Sequence, residues 1–249
     1  MAVEKFNLIL DHTKSLGPKL IHLAFKKEDG QDFNFIPGQF ITFLLTNSEG
    51  QLKRRSYSIS SIPNPNNQTA LIEIAVSYVD GGIASEILFN LKPDESLPAM
   101  GPAGRLVMQE DNAKRYLLIG TGTGIAPYRS MLPEISKRMS ANPDFEVVML
   151  LGVQYRADLL YLEDFLNFSK THPRFILRAQ LSREDLNQAK SYEHKGYVQT
   201  AFDQLNLNPS SDIIFLCGNP NMIDNAFMEL QTLGFESGSI KREKYISSN

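Results

Sequence analysis

Three glycines at alternate positions, Gly120, Gly122 and Gly124, directly follow the apolar run Tyr116-Leu117-Leu118-Ile119 and lead into Ile125-Ala126-Pro127-Tyr128. Residues without a Cβ let the backbone turn tightly and bring its N–H groups against an anion. A helix starting at that point adds the partial positive charge of its N-terminus. The chemistry open to such a stretch is to hold a phosphate. The dinucleotide fingerprint G-x-G-x-x-G is not met, because its last glycine would fall on Ile125; the pattern is G-x-G-x-G-x-A-P. A strand-to-helix turn that binds nothing could carry the same glycines.

The strand after the loop bears on which nucleotide would bind. An acidic residue at its end would grip a ribose 2′-hydroxyl, the usual sign of NAD. The chain has Leu151-Gly152-Val153-Gln154-Tyr155-Arg156 there, with no acid. The following strand ends Gln180-Leu181-Ser182-Arg183. A hydroxyl beside a guanidinium suits a 2′-phosphate, which leans toward NADP. The alternative is that Ser182 and Arg183 are ordinary loop residues.

A second constellation lies earlier, in Arg54-Arg55-Ser56-Tyr57-Ser58-Ile59-Ser60-Ser61. On a regular strand Arg55 and Tyr57 share a face. A cation beside an aromatic ring suits a ligand with both a phosphate and a flat ring system. Arginine–tyrosine neighbours on strands are also commonplace.

The elements that position these residues fall into two groups. Up to about residue 110 the pattern is strands broken by turns, with candidates at 3–10, 19–26, 39–46, 52–60 and 70–79. The breakers include Gly17-Pro18, Asp29-Gly30, Pro37-Gly38, Ser48-Glu49-Gly50 and Pro63-Asn64-Pro65-Asn66-Asn67. This spacing predicts an antiparallel sandwich or barrel, with one short helix at 82–91. From Tyr116 onward, short apolar runs alternate with helical segments. The runs are 116–119, Glu146–Leu151, Phe175–Leu177 and Ile213–Leu216. They predict βαβ units on a parallel sheet. One helix is expected over 158–168 with Asp158 as its cap. The last has Asn219 as cap and Pro220 in its first turn, and stops at Gly234. The expected boundary lies in Gln109–Arg115, giving a β-domain at 1–110 and an α/β domain at 111–249.

Composition narrows the function classes. The 249 residues carry a net charge of −3, so no broad cationic field for nucleic acid or a membrane surface is expected. Cys217 is the single cysteine, which excludes a disulfide framework or a cluster held mainly by cysteines of this chain. His12, His22, His172 and His194 show no ligand spacing. The opening MAVEKFNLILDH does not have the pattern of a signal peptide, and no apolar run approaches the roughly 20 residues of a membrane helix. A soluble, cytoplasmic, monomeric protein is the expectation.

In order along the chain come R-x-Y-S at 55–58, Gly81-Gly82-Ile83-Ala84-Ser85, Gly101-Pro102-Ala103-Gly104, the G-x-G-x-G-x-A-P loop and Cys217-Gly218-Asn219-Pro220. This succession resembles the ferredoxin–NADP reductase family, the bacterial ferredoxin/flavodoxin reductases in particular, over essentially the whole chain. The resemblance implies an antiparallel flavin-binding β-barrel followed by a parallel α/β domain for the nicotinamide nucleotide, with FAD and NADP as cofactors. It implies that Arg55 pairs with the FAD pyrophosphate, that Tyr57 lies against the isoalloxazine, and that Ser58 sits near flavin N5. Gly81, Gly82 and Ser85 would meet the FAD pyrophosphate at the start of the 82–91 helix. Gly122, Thr123 and Gly124 would hold the NADP pyrophosphate, with Ser182 and Arg183 at the 2′-phosphate. Cys217 and Gly218 would line the nicotinamide pocket; a small buried apolar residue is the other reading of Cys217. Glu243-Lys244-Tyr245 resembles the family's terminal acid–x–aromatic element, in which the ring covers the flavin and Glu243 has a supporting acidic role; a frayed polar tail is the alternative for this end of the chain.

The implied activity passes electrons between NADPH and a one-electron carrier such as ferredoxin or flavodoxin, through hydride transfer to flavin N5. Lys53, Arg54, Arg105 and Lys114 are candidates for a basic surface that docks such an acidic partner, or for a solvated face. Two departures from related bacterial reductases stand out. Gln154 and Tyr197 occupy positions where arginines are common, and Arg156 is a candidate substitute. An NADH-linked reductase component of an oxygenase is therefore the alternative function. A third reading is an electron-transfer subunit or sensor that does not oxidise the nicotinamide itself.

Overall fold

In the computed structural model, residues 3–47 and 49–245 are described. Ser48 of one expected turn and the Ile246–Asn249 tail lie outside them. The chain divides into two units. One comprises the residues up to Met108 together with Ala126–Pro133. The other comprises Gln109–Ile125 and the described residues from Glu134 to Tyr245.

The first unit contains β1 (Glu4–Gly17), β2 (Leu20–Lys27), β3 (Phe33–Asn34), β4 (Phe40–Thr46), β5 (Leu52–Ser58), β6 (Gln68–Thr69), β7 (Ile72–Ser77), α1 (Ile83–Asn90) and β8 (Ser96–Ala103). Six of the strands form an antiparallel sheet in the order β5-β4-β8-β1-β2-β7, and β3 pairs with β6. Alternation does the sorting: in β4, Ile41, Phe43 and Leu45 point inward and the residues between them do not. They join Leu8, Leu10, Leu23, Phe25 and Ile74 in one core. The sheet curls so that its edges meet. Just after β5, Ser60 N–H donates to the Glu73 carbonyl in β7 at 2.8 Å, and Ser61 Oγ takes the Glu73 N–H at 2.7 Å.

Several elements here differ from the sequence expectation, the two-residue strands β3 and β6 among them. β1 runs on to Gly17, because its polar second half pairs with β2 through backbone alone while its side chains stay in water. β8 is an additional strand: SLPAMGPA carries two prolines and a glycine, which disfavour a central position. It nevertheless lies between β4 and β1, with an irregular register opposite Phe40–Thr42.

The second unit is a parallel sheet with flanking helices. Its strands are β9 (Arg115–Thr121), β10 (Glu146–Val153), β11 (Phe175–Leu181), β12 (Glu193–Lys195), β13 (Asp212–Gly218) and β14 (Ile240–Lys244), in the order β12-β11-β10-β9-β13-β14. Central β9 has Leu118 between Met149 of β10 and Phe215 of β13, all buried, as a sheet covered on both faces requires. The helices, in chain order after α1, are α2 (Ala126–Ser130), α3 (Leu132–Ala141), α4 (Leu162–Thr171) and α5 (Pro220–Thr232). α2 packs with the first unit. Among the described residues, no helix is long and apolar enough to cross a membrane.

The α5 signals act as expected. Asn219 Oδ1 accepts from the N–H groups of Asn221 and Met222, at 2.9 and 3.3 Å. Asp158 does not cap α4. Its carboxylate instead takes the Tyr155 N–H at 3.1 Å around a short 3₁₀ turn, and α4 starts four residues later, after Tyr161 in a left-handed conformation.

Candidate nucleotide and flavin sites

The end of β9 and the end of β13 touch through glycines. A Cβ on Gly124 would lie 2.4 Å from the Cys217 carbonyl oxygen and 2.5 Å from the Gly218 Cα, so only hydrogen fits there. Gly218, at φ +117°, returns the contact: a Cβ on it would lie 2.5 Å from the Thr121 carbonyl oxygen. The Asn219 N–H donates to Thr121 Oγ1 at 3.1 Å. Gly122, Thr123 and Gly124 form a 3₁₀ turn beside this seam, and a Cβ on Gly122 would meet nothing within 4 Å. The whole group stands at the C-terminal ends of parallel strands, where open α/β sheets bind ligands.

β14 adds the terminal residues to this group, although its charged sequence does not read as a strand. It pairs Cys217 with Glu243 and Gly218 with Lys244, and the Tyr245 N–H donates to the Gly218 carbonyl at 2.9 Å. Cys217 is fully buried. Burial pushes its thiol well up, the Glu243 charge adds to this, and a hydrogen bond with Tyr245 opposes it. The thiol is therefore held in its neutral form, which is unsuited to nucleophilic attack.

The loops after β10, β11 and β12 form a second group. Ser182 N–H donates to the Val153 carbonyl and Arg183 N–H to the Gln154 carbonyl, each at 3.0 Å, and Gly196 N–H donates to the Leu181 carbonyl at 3.2 Å. Exposed Arg183 thus sits on a backbone laced to both neighbouring strand ends. Tyr197, just past Gly196, is 70% exposed and Tyr155 45%. Both rings therefore lie largely in solvent at these strand ends. Arg156, the candidate substitute cation, is engaged within the protein. Its Nε and Nη2 donate to the two carboxylate oxygens of Glu193 at 2.6 and 2.8 Å. This fork holds the Glu193 carboxyl below its usual range.

In the first unit, β5 is an edge strand on which Lys53, Arg55 and Tyr57 share one face and Arg54 and Ser56 the other. Lys53 and Arg54 therefore do not present one basic surface. The Tyr57 ring meets Phe43 edge-on at 6.0 Å, and burial pushes its hydroxyl up to about 12. Ser58 is buried at the end of the strand, opposite Phe40. Gly81 and Gly82 lead into α1, and no side chain caps its first turn. Buried Ser85 accepts the Val79 N–H on Oγ at 2.8 Å, which leaves its O–H to donate.

Two groups of residues, one on an antiparallel barrel and one on a parallel sheet, are the candidates for a flavin and a nicotinamide nucleotide, the pair of sites of a flavin-dependent oxidoreductase. Comparison with known proteins agrees. Residues 7–108 match the family model of the oxidoreductase FAD-binding domain and residues 118–227 that of the oxidoreductase NAD-binding domain. Ferredoxin–NADP reductase B of Sorangium cellulosum (strain So ce56) is 30% identical over 226 residues, 88% of this chain and 88% of its own. The toluate 1,2-dioxygenase electron transfer component of Pseudomonas putida is 27% identical over 244 residues, 98% of this chain and 68% of its own. A ferredoxin NADP+ reductase from Neisseria gonorrhoeae, solved with FAD and NADP bound, has the same fold, with a TM-score of 0.81 at 21% identity over 97% of this chain and 99% of that one. The chain belongs to the ferredoxin–NADP reductase family.

Proposed function

We propose that the protein is an NADPH-dependent reductase that delivers electrons to a ferredoxin or flavodoxin, with FAD as its resident cofactor. When bound, FAD would supply the coupling of two-electron hydride chemistry to one-electron release. The residues present fit that group. Arg55 and Tyr57 offer a guanidinium and a ring on one face of β5, and the uncapped first turn of α1, reached through Gly81 and Gly82, offers N–H donors to a pyrophosphate, with the Ser85 hydroxyl beside them. Ser58 is the candidate for flavin N5.

For the nicotinamide nucleotide, the Gly122–Gly124 turn is the pyrophosphate cradle. Cys217, Gly218, Glu243 and Tyr245 form the nicotinamide pocket, where a neutral thiol and a glycine leave room for a flat ring. The observation that carries NADPH over NADH is Arg183. It is exposed, beside the Ser182 hydroxyl and a strand end away from the Tyr197 ring, an arrangement suited to a 2′-phosphate and a purine. Similarity to both a ferredoxin–NADP reductase and a dioxygenase electron transfer component keeps an NADH-linked oxygenase reductase as the second reading.

The deciding experiment is an anaerobic titration of the purified yellow protein with NADPH and NADH, in the wild type and in Arg183→Ala. Bleaching by NADPH at lower concentration than by NADH, with Arg183→Ala raising the KM for NADPH far more than for NADH, is expected. Preference for NADH, or equal effects of the substitution, refutes the reading.

A further inference from the structure

Arg156 stands where three strand-end loops meet. Its guanidinium forms a two-pronged pair with Glu193, the first residue of β12, whose side chain has 0% exposure. Its backbone N–H donates to Glu184 Oε2 at 2.7 Å. Glu184 directly follows Arg183, and its carbonyl takes the Lys195 ammonium at 2.5 Å. The second oxygen of Glu193 also takes the Lys190 N–H at 2.9 Å. The Arg156 main chain thus holds the Ser182–Glu184 loop and its guanidinium holds β12, with Nη1 3.9 Å from Glu184 Oε1. A planar fork fixes two directions at once, which a single ammonium contact cannot.

We propose that Arg156 is a positioning residue for nucleotide selectivity: through Glu193 and Glu184 it holds Ser182 and Arg183 in the place where they meet a ribose 2′-phosphate. The inference rests on the NADPH reading above and deepens it. Charge alone would give a different signature. Glu193 and Glu184 are anions close to a site for an anion, so on electrostatics alone removing the Glu193 charge should tighten phosphate binding. If Arg156 and Glu193 act by holding the loop, loss of either partner weakens it.

The test measures equilibrium binding of adenosine 2′,5′-bisphosphate and of adenosine 5′-monophosphate to the full-length flavin-loaded protein, with KM values for NADPH and NADH beside it. Arg156→Lys keeps the charge opposite buried Glu193 but loses the fork. Glu193→Gln keeps the shape but loses the charge. Flavin absorbance and the thermal midpoint confirm that each variant is folded. Each is expected to weaken the bisphosphate relative to the monophosphate about tenfold, the scale of one weakened hydrogen bond to a charged group. An unchanged ratio in either variant, or a tighter bisphosphate in Glu193→Gln, overturns the proposal. Arg183→Ala separates the two levels. If it abolishes the selectivity while the other two variants leave it intact, the positioning role is wrong and the phosphate site stands. If Arg183→Ala itself leaves the ratio unchanged, both fall together.

Discussion

Arg129 donates from one guanidinium nitrogen to Glu73 Oε2 at 2.5 Å and to the Ser60 carbonyl at 2.8 Å. His22 Nε2 lies 3.6 Å from the other Glu73 oxygen. One carboxylate thus ties α2 to β2 and β7, beside the segment where the barrel closes. Burial pushes the Glu73 carboxyl up, but the His22 hydrogen bond and the Arg129 charge outweigh it, and the group is held below its ordinary value of 4.5.

This depression sets the sign of the pH effect. A carboxyl depressed in the folded state contributes stability that is present above its unfolded value and is lost as pH falls through the lower folded value. Glu73→Gln should lower stability near neutrality by about 1–3 kcal/mol, the range for breaking a part-buried charge-assisted contact. Below the ordinary value of 4.5 the gap between wild type and variant should narrow. Urea unfolding at pH 7 and at successively lower pH measures both; a gap that stays constant on acidification contradicts the argument.

Gly124→Ala forces a methyl group to within 2.4 Å of the Cys217 carbonyl, a backbone atom that cannot swing away. The turn must shift relative to β13. We expect a loss of about 1–3 kcal/mol in stability, as overpacking typically costs, together with weaker binding of both NADPH and NADH. Calorimetry and nucleotide titration would reveal it. Wild-type affinity for both nucleotides would show that the close approach does not shape the cradle.

Arg55→Ala removes the cation that the proposed flavin site aims at a pyrophosphate. Charged hydrogen bonds are worth about 1.5–3 kcal/mol, so FAD affinity should fall roughly 10- to 100-fold. The ratio of visible to ultraviolet absorbance after gel filtration reads it directly. Full occupancy in the variant would remove Arg55 from the site.

The parallel half was legible because its strands are continuous apolar runs and α5 carries Asn219, Pro220 and Gly234 at their expected places. What local signals missed was decided by pairing. β8 and β14 are strands because partners on either side or on one side claim their backbones, although prolines in one and charges in the other suggest loops. Ser182 and Arg183 do follow β11, as the apolar run before them predicts. The engagement of Arg156 was not legible, because Glu193 lies 37 positions away and nothing in the spacing joins them. Lys53 and Arg54 are grouped by proximity along the chain, whereas a strand sends neighbours to opposite faces.

The Ala126–Pro133 segment belongs to the barrel unit although it comes after the first strand of the parallel sheet. Tyr128 and Met131 in it are completely enclosed, and Ser130 Oγ receives the Gly38 N–H at 3.1 Å. A single splice point near residue 109 would therefore cut neither half cleanly. Chimeras that graft a foreign nicotinamide module onto this barrel need to carry that segment with the barrel, exchanging two separate stretches of sequence rather than one.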